Sequence, residues 1–235
     1  MLKKNFAYLS IPFALIAILA ANLEITWLHY LSKPLIVGVL IGHLYHQGFP
    51  KHKMLTLVYA ALALSLLGDI FLMLKVEGMF IAGLGAFLLA QALYFFAFRI
   101  RSRNFDEKGA LFFDLLLSIP LFTYFFLFLN EILAFIEFQG TQTEMYYPVM
   151  AYGIVIMLMG YAAITRYNRS SKASYFLILC GAVSFIISDS VLAWNMFRQP
   201  VDNAHFYILI SYAIAQLLLV KGTEELMHDL STSEK

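Results

Sequence analysis

Apolar residues run along this chain in stretches much longer than the helices of an ordinary soluble domain. A membrane-crossing helix needs about 20 mostly apolar residues. Eight such runs can be read, near 6–22, 27–46, 54–74, 79–98, 109–129, 147–166, 173–195 and 204–221. They predict an all-α fold, a polytopic transmembrane helical bundle of eight spans. The connections are short, so residues 1–235 read as a single integral-membrane domain. The exception is the stretch from Asn130 to Tyr147, where Glu131, Glu137 and Glu144 alternate with apolar groups. That pattern predicts a partly interfacial segment between spans five and six. Lys3 and Lys4 ahead of the apolar run from Phe6 have the make-up of a secretory signal peptide. In a chain this apolar, the run reads as an uncleaved first span.

Composition sharpens the class. Hydrophobic residues make up 61% of the chain and charged ones 13%, against roughly a quarter charged in soluble domains. Most of the surface therefore cannot face water. A net charge of +1, with no basic stripe, gives no support for a nucleic-acid partner, and no protein partner is expected. Cys180 is the one cysteine, so neither an intrachain disulfide nor a cysteine-built metal site can form.

The basic residues orient the spans. Odd–even alternation puts Lys3, Lys4, Lys51, Lys53, Arg99, Arg101, Arg103, Lys108, Arg166, Arg169, Lys172, Lys221 and Lys235 on one side. The other side holds Lys75 and Arg198, and Lys33 lies inside a span. By the positive-inside rule both termini are cytoplasmic, and the expected setting is a bacterial inner (plasma) membrane.

An ionisable residue at membrane depth costs about 2.5–3.5 kcal/mol on insertion scales and is a functional candidate by default. Three stand out: Lys33 in span two, Asp69 in span three and Asp189 in span seven. At 1.5 Å per residue, Asp69 lies about 22 Å along its outward-running span and Asp189 about 24 Å along its own. Lys33 lies about 9 Å from the outer end of span two. The three charges thus converge on one level in the outer half. Gln91 of span four and Gln216 of span eight form a second polar layer about 10 Å deeper. Pro34 follows Lys33 and predicts a kink or unwinding there. Gly68 and Ser188, beside the two aspartates, permit close helix approach. Tyr212 and Gln216 share one face of span eight, as Gln91 and Tyr94 do on span four. Asn195 flanks Asp189 on the Ser188 face.

Two carboxyls at one depth in a low-dielectric site cannot both ionise comfortably, and a nearby lysine favours the charge on one of them. That is the condition for paired general-acid and general-base work, of the kind glycosidases use to pass through oxocarbenium-like species. A substrate entering from lipid would be amphiphilic. The residues taken alone thus fit acid–base hydrolysis of a lipid ether or acetal. They also fit two other classes: a transporter or lipid-binding protein using the buried charges as an ion relay, or a zinc-dependent ceramidase-like lipid hydrolase. For the latter, His43 and His46 give half a site, with His52 as a third ligand. The other histidines are scattered, and zinc needs about three ligands at one point, so no metal is expected.

Five runs carry a family resemblance: Lys33-Pro34-Leu35; Leu67-Gly68-Asp69-Ile70-Phe71-Leu72; Ala90-Gln91-Ala92-Leu93-Tyr94; Ile187-Ser188-Asp189-Ser190-Val191-Leu192-Ala193 with Asn195; and Tyr212-Ala213-Ile214-Ala215-Gln216-Leu217. In that order, from span two to span eight, they resemble the YhhN/lysoplasmalogenase family of eight-span membrane proteins. The resemblance implies hydrolysis of the vinyl-ether bond of lysoplasmalogens to a fatty aldehyde and glycerophosphocholine or glycerophosphoethanolamine. It implies no metal or organic cofactor, and a lysophospholipid in the bilayer as substrate. Carried over by motif are Lys33, Asp69, Gln91, Asp189, Asn195, Tyr212 and Gln216; the expected acid–base pair is Asp69 with Asp189, either one the acid, and Tyr94, on the Gln91 face, is expected to line the site with the others.

Overall fold

The computed structural model describes residues 6–48, 52–74, 76–100, 110–140, 143–167 and 169–233. Among these there are eight α-helices: α1 (Ser10–Asn22), α2 (Thr26–Gln47), α3 (Lys53–Met73), α4 (Met79–Phe98), α5 (Ala110–Gln139), α6 (Tyr146–Ile164), α7 (Lys172–Phe197) and α8 (Ala204–Ser233). Single 3-10 turns at Phe6–Leu9 and Thr143–Met145 lead into α1 and α6. Helix ends follow local chemistry. His52 stands in extended backbone and its ring Nδ1 accepts from the Met54 amide at 3.2 Å, starting α3. Ser171 does the same for the Ser174 amide at 3.3 Å, starting α7. Gly48 closes α2 at φ 63°, a left-handed value that glycine takes without a Cβ penalty.

α3 to α8 are each long and apolar enough to cross a membrane, six helices among the described residues. Phe6–Asn22 is a shorter apolar helix. α2 has the length, but His29, Ser32, Lys33, His43 and His46 dilute its hydropathy. The molecule is therefore an all-helical integral membrane bundle. It is built from three helix pairs, α1 with α2, α3 with α4, and α7 with α8; α6 packs against α4, α5 and α7, and α8 reaches back to α1, α2 and α3. Without a hydrophobic effect between helices in lipid, small residues set how closely they approach. Gly181 shows this: a Cβ there would come within 2.8 Å of the Leu219 side chain and 3.1 Å of its backbone nitrogen.

Three departures from the hydropathy reading have physical causes. α5 continues past Asn130 to Gln139 instead of giving way to an interfacial segment. Ile132, Leu133 and Ile136 keep it helical by burying one face against Val149 and Phe197, while Glu131 meets Arg198 at 3.0 Å on the outer face. Residues 141 and 142 of that segment lie outside the described ones. α8 runs beyond residue 221 because Thr223, Leu226 and Met227 stay fully buried. α2 remains helical through Pro34.

The basic residues also hold a surprise. Lys3, Lys4, Lys51, Lys75, Arg101, Arg103, Lys108 and Lys235 lie outside the described residues. Arg166 and Arg169, read as loop charges, are buried. Arg166 donates through Nη1 to the carbonyls of Phe98 (3.1 Å) and Ile100 (2.9 Å) at the end of α4, and through Nη2 to Ser174 Oγ (3.3 Å). Burial lowers its guanidinium to about 10. Arg169 grips Asp114 of α5 with both terminal nitrogens, at 2.9 and 2.8 Å, the bidentate geometry that suits a planar guanidinium. Ser174 in turn donates to the Gly222 carbonyl of α8 at 2.8 Å.

Candidate functional site

The functional candidates gather at the opposite end of the bundle, near the C-terminal parts of α3 and α7 and the N-terminal parts of α4, α6 and α8. A cavity there has ≈ 710 Å³ of empty space, counted out through its opening. Lys33, Asp69, Asp189 and Tyr212 all line it, from α2, α3, α7 and α8. The level that helical rise predicts for the three charges is therefore one physical chamber. Its remaining walls are mostly apolar, among them Leu72, Phe80, Leu84 and Phe87.

The two carboxyls have different surroundings. Asp69 is 1% exposed. Lys33 Nζ lies 3.3 Å from its Oδ1, and the Tyr212 hydroxyl donates to its Oδ2 at 2.7 Å. Both oxygens are taken. Gly68 allows this depth, because a Cβ there would sit 2.6 Å from the Phe87 ring. That ring meets Tyr212 edge-on at 5.9 Å, and Phe185 does so at 5.5 Å, fixing the phenol over Asp69. Asp189 is half-buried. Its Oδ2 accepts a short hydrogen bond from the Tyr152 hydroxyl of α6, and among the described residues no side chain hydrogen-bonds its Oδ1. Ser188 beside it donates to the Ile208 carbonyl at 3.0 Å, pinning α7 to α8.

Below this level lies the second polar layer. Tyr94 donates to Gln216 Oε1 at 2.9 Å, joining α4 to α8. Gln91 approaches the Tyr152 hydroxyl without completing a hydrogen bond. Gln91 Nε2 and Oε1, Gln216 Nε2 and Ser65 Oγ are buried with no partner. Ser65 stands one turn below Asp69, on the same face of α3. Buried polar atoms are paired in most proteins; these four lie beneath the cavity and are not among its walls.

Asn195 stands apart. Its Oδ1 accepts from the Val201 amide at 2.9 Å, closing the turn between α7 and α8, and it is not a wall of the cavity. Tyr152 is the residue that the sequence reading misses. The histidines of the zinc alternative have other duties: His43 Nε2 lies 3.3 Å from Glu224 Oε2, and His52 caps α3. Among the described residues no three His, Cys, Asp or Glu side chains gather as a metal ion needs.

Fold and site together define a polytopic helical membrane protein with a paired-carboxylate cavity. The sequence pattern of the YhhN family matches residues 28–223, which takes in both aspartates, α3 to α7 whole and most of α2 and α8; the chain belongs to the YhhN family. It is 31% identical over 196 residues to the lysoplasmalogenase TMEM86B of Homo sapiens, covering 83% of this chain and 75% of the relative. It is 28% identical over 177 residues to the lysoplasmalogenase TMEM86A of Bos taurus, covering 74% and 68%. The Homo sapiens TMEM86A gives the same identity over the same length and shares. No solved structure matches the chain.

Proposed function

We propose that this protein is a lysoplasmalogenase, hydrolysing the vinyl-ether bond of a lysophospholipid drawn from the bilayer. The observation that carries the reading is the inequality of the two carboxyls in one cavity: Asp69 is paired with a cation, and Asp189, also a wall of the cavity, is held through Oδ2 by Tyr152. Lys33, 3.3 Å away, gives Asp69 a counter-ion, and Asp69 is assigned to stabilise the positive charge that develops in the substrate. Asp189 has no such cation and acts as the acid. The Tyr152 bond decides which oxygen bears the proton. Oδ2 accepts from Tyr152, which leaves Oδ1 to carry the transferable proton.

The steps follow from vinyl-ether chemistry. Asp189 delivers its proton to the β-carbon of the double bond, leaving an oxocarbenium ion shared by the α-carbon and the ether oxygen. Asp69 stabilises that positive charge across the cavity. Water adds to the α-carbon and returns a proton to Asp189. The hemiacetal then collapses, breaking the carbon–oxygen bond, to give a fatty aldehyde and the free glycerol hydroxyl. Tyr212 and Lys33 frame the cavity wall, and Gln91, Tyr94 and Gln216 support that frame from the layer beneath it. Proton delivery from a positioned side chain is worth roughly 10²–10⁴ in rate. The direct test is aldehyde release by detergent-purified protein over a panel of alkenyl, alkyl and acyl lysolipids. Turnover of the alkenyl lipids supports the reading, and cleavage of acyl lipids alone rejects it.

We infer that the chain works as one domain of eight spans in a bacterial inner membrane with both termini cytoplasmic; the orientation rests on the one-sided placement of its basic residues in the sequence. Cys180 is the one native cysteine, so a Cys180→Ser background accepts single reporters. Gln199→Cys should react with an impermeant thiol reagent from outside whole cells, and Ser231→Cys only after lysis.

A further inference from the structure

A second chamber adjoins the first. It encloses ≈ 390 Å³ between α5, α6 and α7, and it shares Val149, Tyr152, Asp189 and Ala193 with the site cavity. The two hollows therefore meet at the Tyr152–Asp189 pair. Beyond that pair the second one is walled by Phe125, Phe128, Leu129, Ile132, Ile156 and Ile186, with Gly153 and Ser190 completing it. Apart from Tyr152 and Asp189, it has no ionisable wall. Its α5 wall turns the opposite face outward, where Phe126 is 71% and Leu127 62% exposed, as suits a helix in contact with lipid.

We propose that this α5–α6–α7 chamber takes the hydrocarbon chain of the lipid substrate. The proposal rests on the vinyl-ether reading for the bond that is broken, and it adds the direction in which the substrate lies. A phosphate placed among six apolar side chains would lose its hydration with no compensating partner, whereas a methylene chain gains by burial there. Lys33, the one cation lining either hollow, stands in the first cavity. A lysolipid that threads both hollows thus has its tail between α5 and α6, its ether linkage beside Asp189 and its phosphate-bearing end toward Lys33. Asp189, at the junction of the hollows, then stands where the chain meets the glycerol, which is where the vinyl ether is.

Two measurements test this on the full-length protein. The first needs no catalysis. A non-hydrolysable alkyl-ether lysophospholipid with a diazirine at the chain's methyl end is photolysed with the protein, with and without excess unlabelled lipid. Competed label on Leu129, Ile132 or Ile156 is expected; competed label on Leu72, Phe80 or Leu84 overturns the proposal. The second compares kcat/KM for long and short alkenyl chains. Ile156→Trp shortens the chamber and should lower the long-to-short ratio roughly fourfold for each methylene denied burial. Phe128→Ala lengthens it and should raise the ratio. A variant that is merely less stable loses all chain lengths alike, so ratios unchanged in both variants overturn the chain site. If wild-type protein releases no aldehyde but labels in the chamber, the vinyl-ether reading fails and the chain site stands.

Discussion

Asp69 and Asp189 share a cavity, yet they are built for opposite purposes. Around Asp69, on the α2–α3–α8 side, every bonding capacity is met: Lys33 and Tyr212 each hold one oxygen, and aromatic rings box the phenol. Around Asp189, a wall of the cavity on the α6–α7 side, one oxygen is anchored by Tyr152, and among the described residues no side chain hydrogen-bonds the other. A saturated buried ion pair gives rigidity and a fixed charge, and removing one partner leaves the other uncompensated. An unsaturated carboxyl can exchange a proton with a guest. The same residue type serves as a fixture in one wall and as a reagent in the other.

Substitutions that break this contrast should differ in kind as well as in size. Asp189→Asn should cost the most activity, about 10³-fold in aldehyde release, with a size-exclusion profile and thermal unfolding like the parent; full activity would reject Asp189 as the acid. Asp69→Asn should lower turnover by less, and largely through the fold, because it strands Lys33: about 3–5 kcal/mol of stability is at stake. The double variant Lys33→Met with Asp69→Leu should regain stability in a denaturation assay without regaining aldehyde release. If Asp69→Asn unfolds like the parent, the claim of a structural ion pair is wrong. Tyr152→Phe should follow, at roughly ten- to hundredfold in kcat, since it frees Asp189 to rotate. Its signature is an altered pH–rate profile, which a simple packing defect does not produce. Asn195→Ala should be mildest, costing about 1 kcal/mol of stability through its bond to Val201, read in thermal unfolding, with little change in KM.

The contrast also marks what the sequence makes legible. Lys33, Asp69 and Asp189 announce themselves because the bilayer excludes charges, so each retained one has a partner or a task. Counting 1.5 Å per residue then suffices to put them at one depth. Tyr152 is silent for the converse reason. Tyrosine is common at membrane interfaces, and six residues into α6, just after Tyr146 and Tyr147, it looks like one more belt residue. Only the orientation of α6 against α7 shows its hydroxyl on Asp189. Asn195 errs in the other direction: a polar side chain near a helix end serves a cap or a ligand equally well, and it is the backbone of Val201 that takes it. Hydropathy locates apolar runs rather than helix ends, so α5 and α8 outlast it wherever an amphipathic face such as Ile132–Ile136 or Leu226–Met227 finds a neighbour. Asp114 escapes for a related reason. It sits near the start of a strongly apolar run, and its partner Arg169 is 55 positions away.

That Arg169–Asp114 grip, with Arg166 holding the end of α4, makes the molecule resemble forceps. One end is riveted by guanidinium bonds that cross from α6 to α4, α5 and α7, and Ser174 carries the tie on to α8. At the tips, where both carboxyls line the cavity, α5 is held by more exposed ties, the Glu131–Arg198 pair and the Tyr124–Ser190 hydrogen bond. Any flexing that admits a bulky lipid and releases a long aldehyde must then pivot about the riveted end, and loosening that distant pivot would slow turnover without touching an atom of the chemistry.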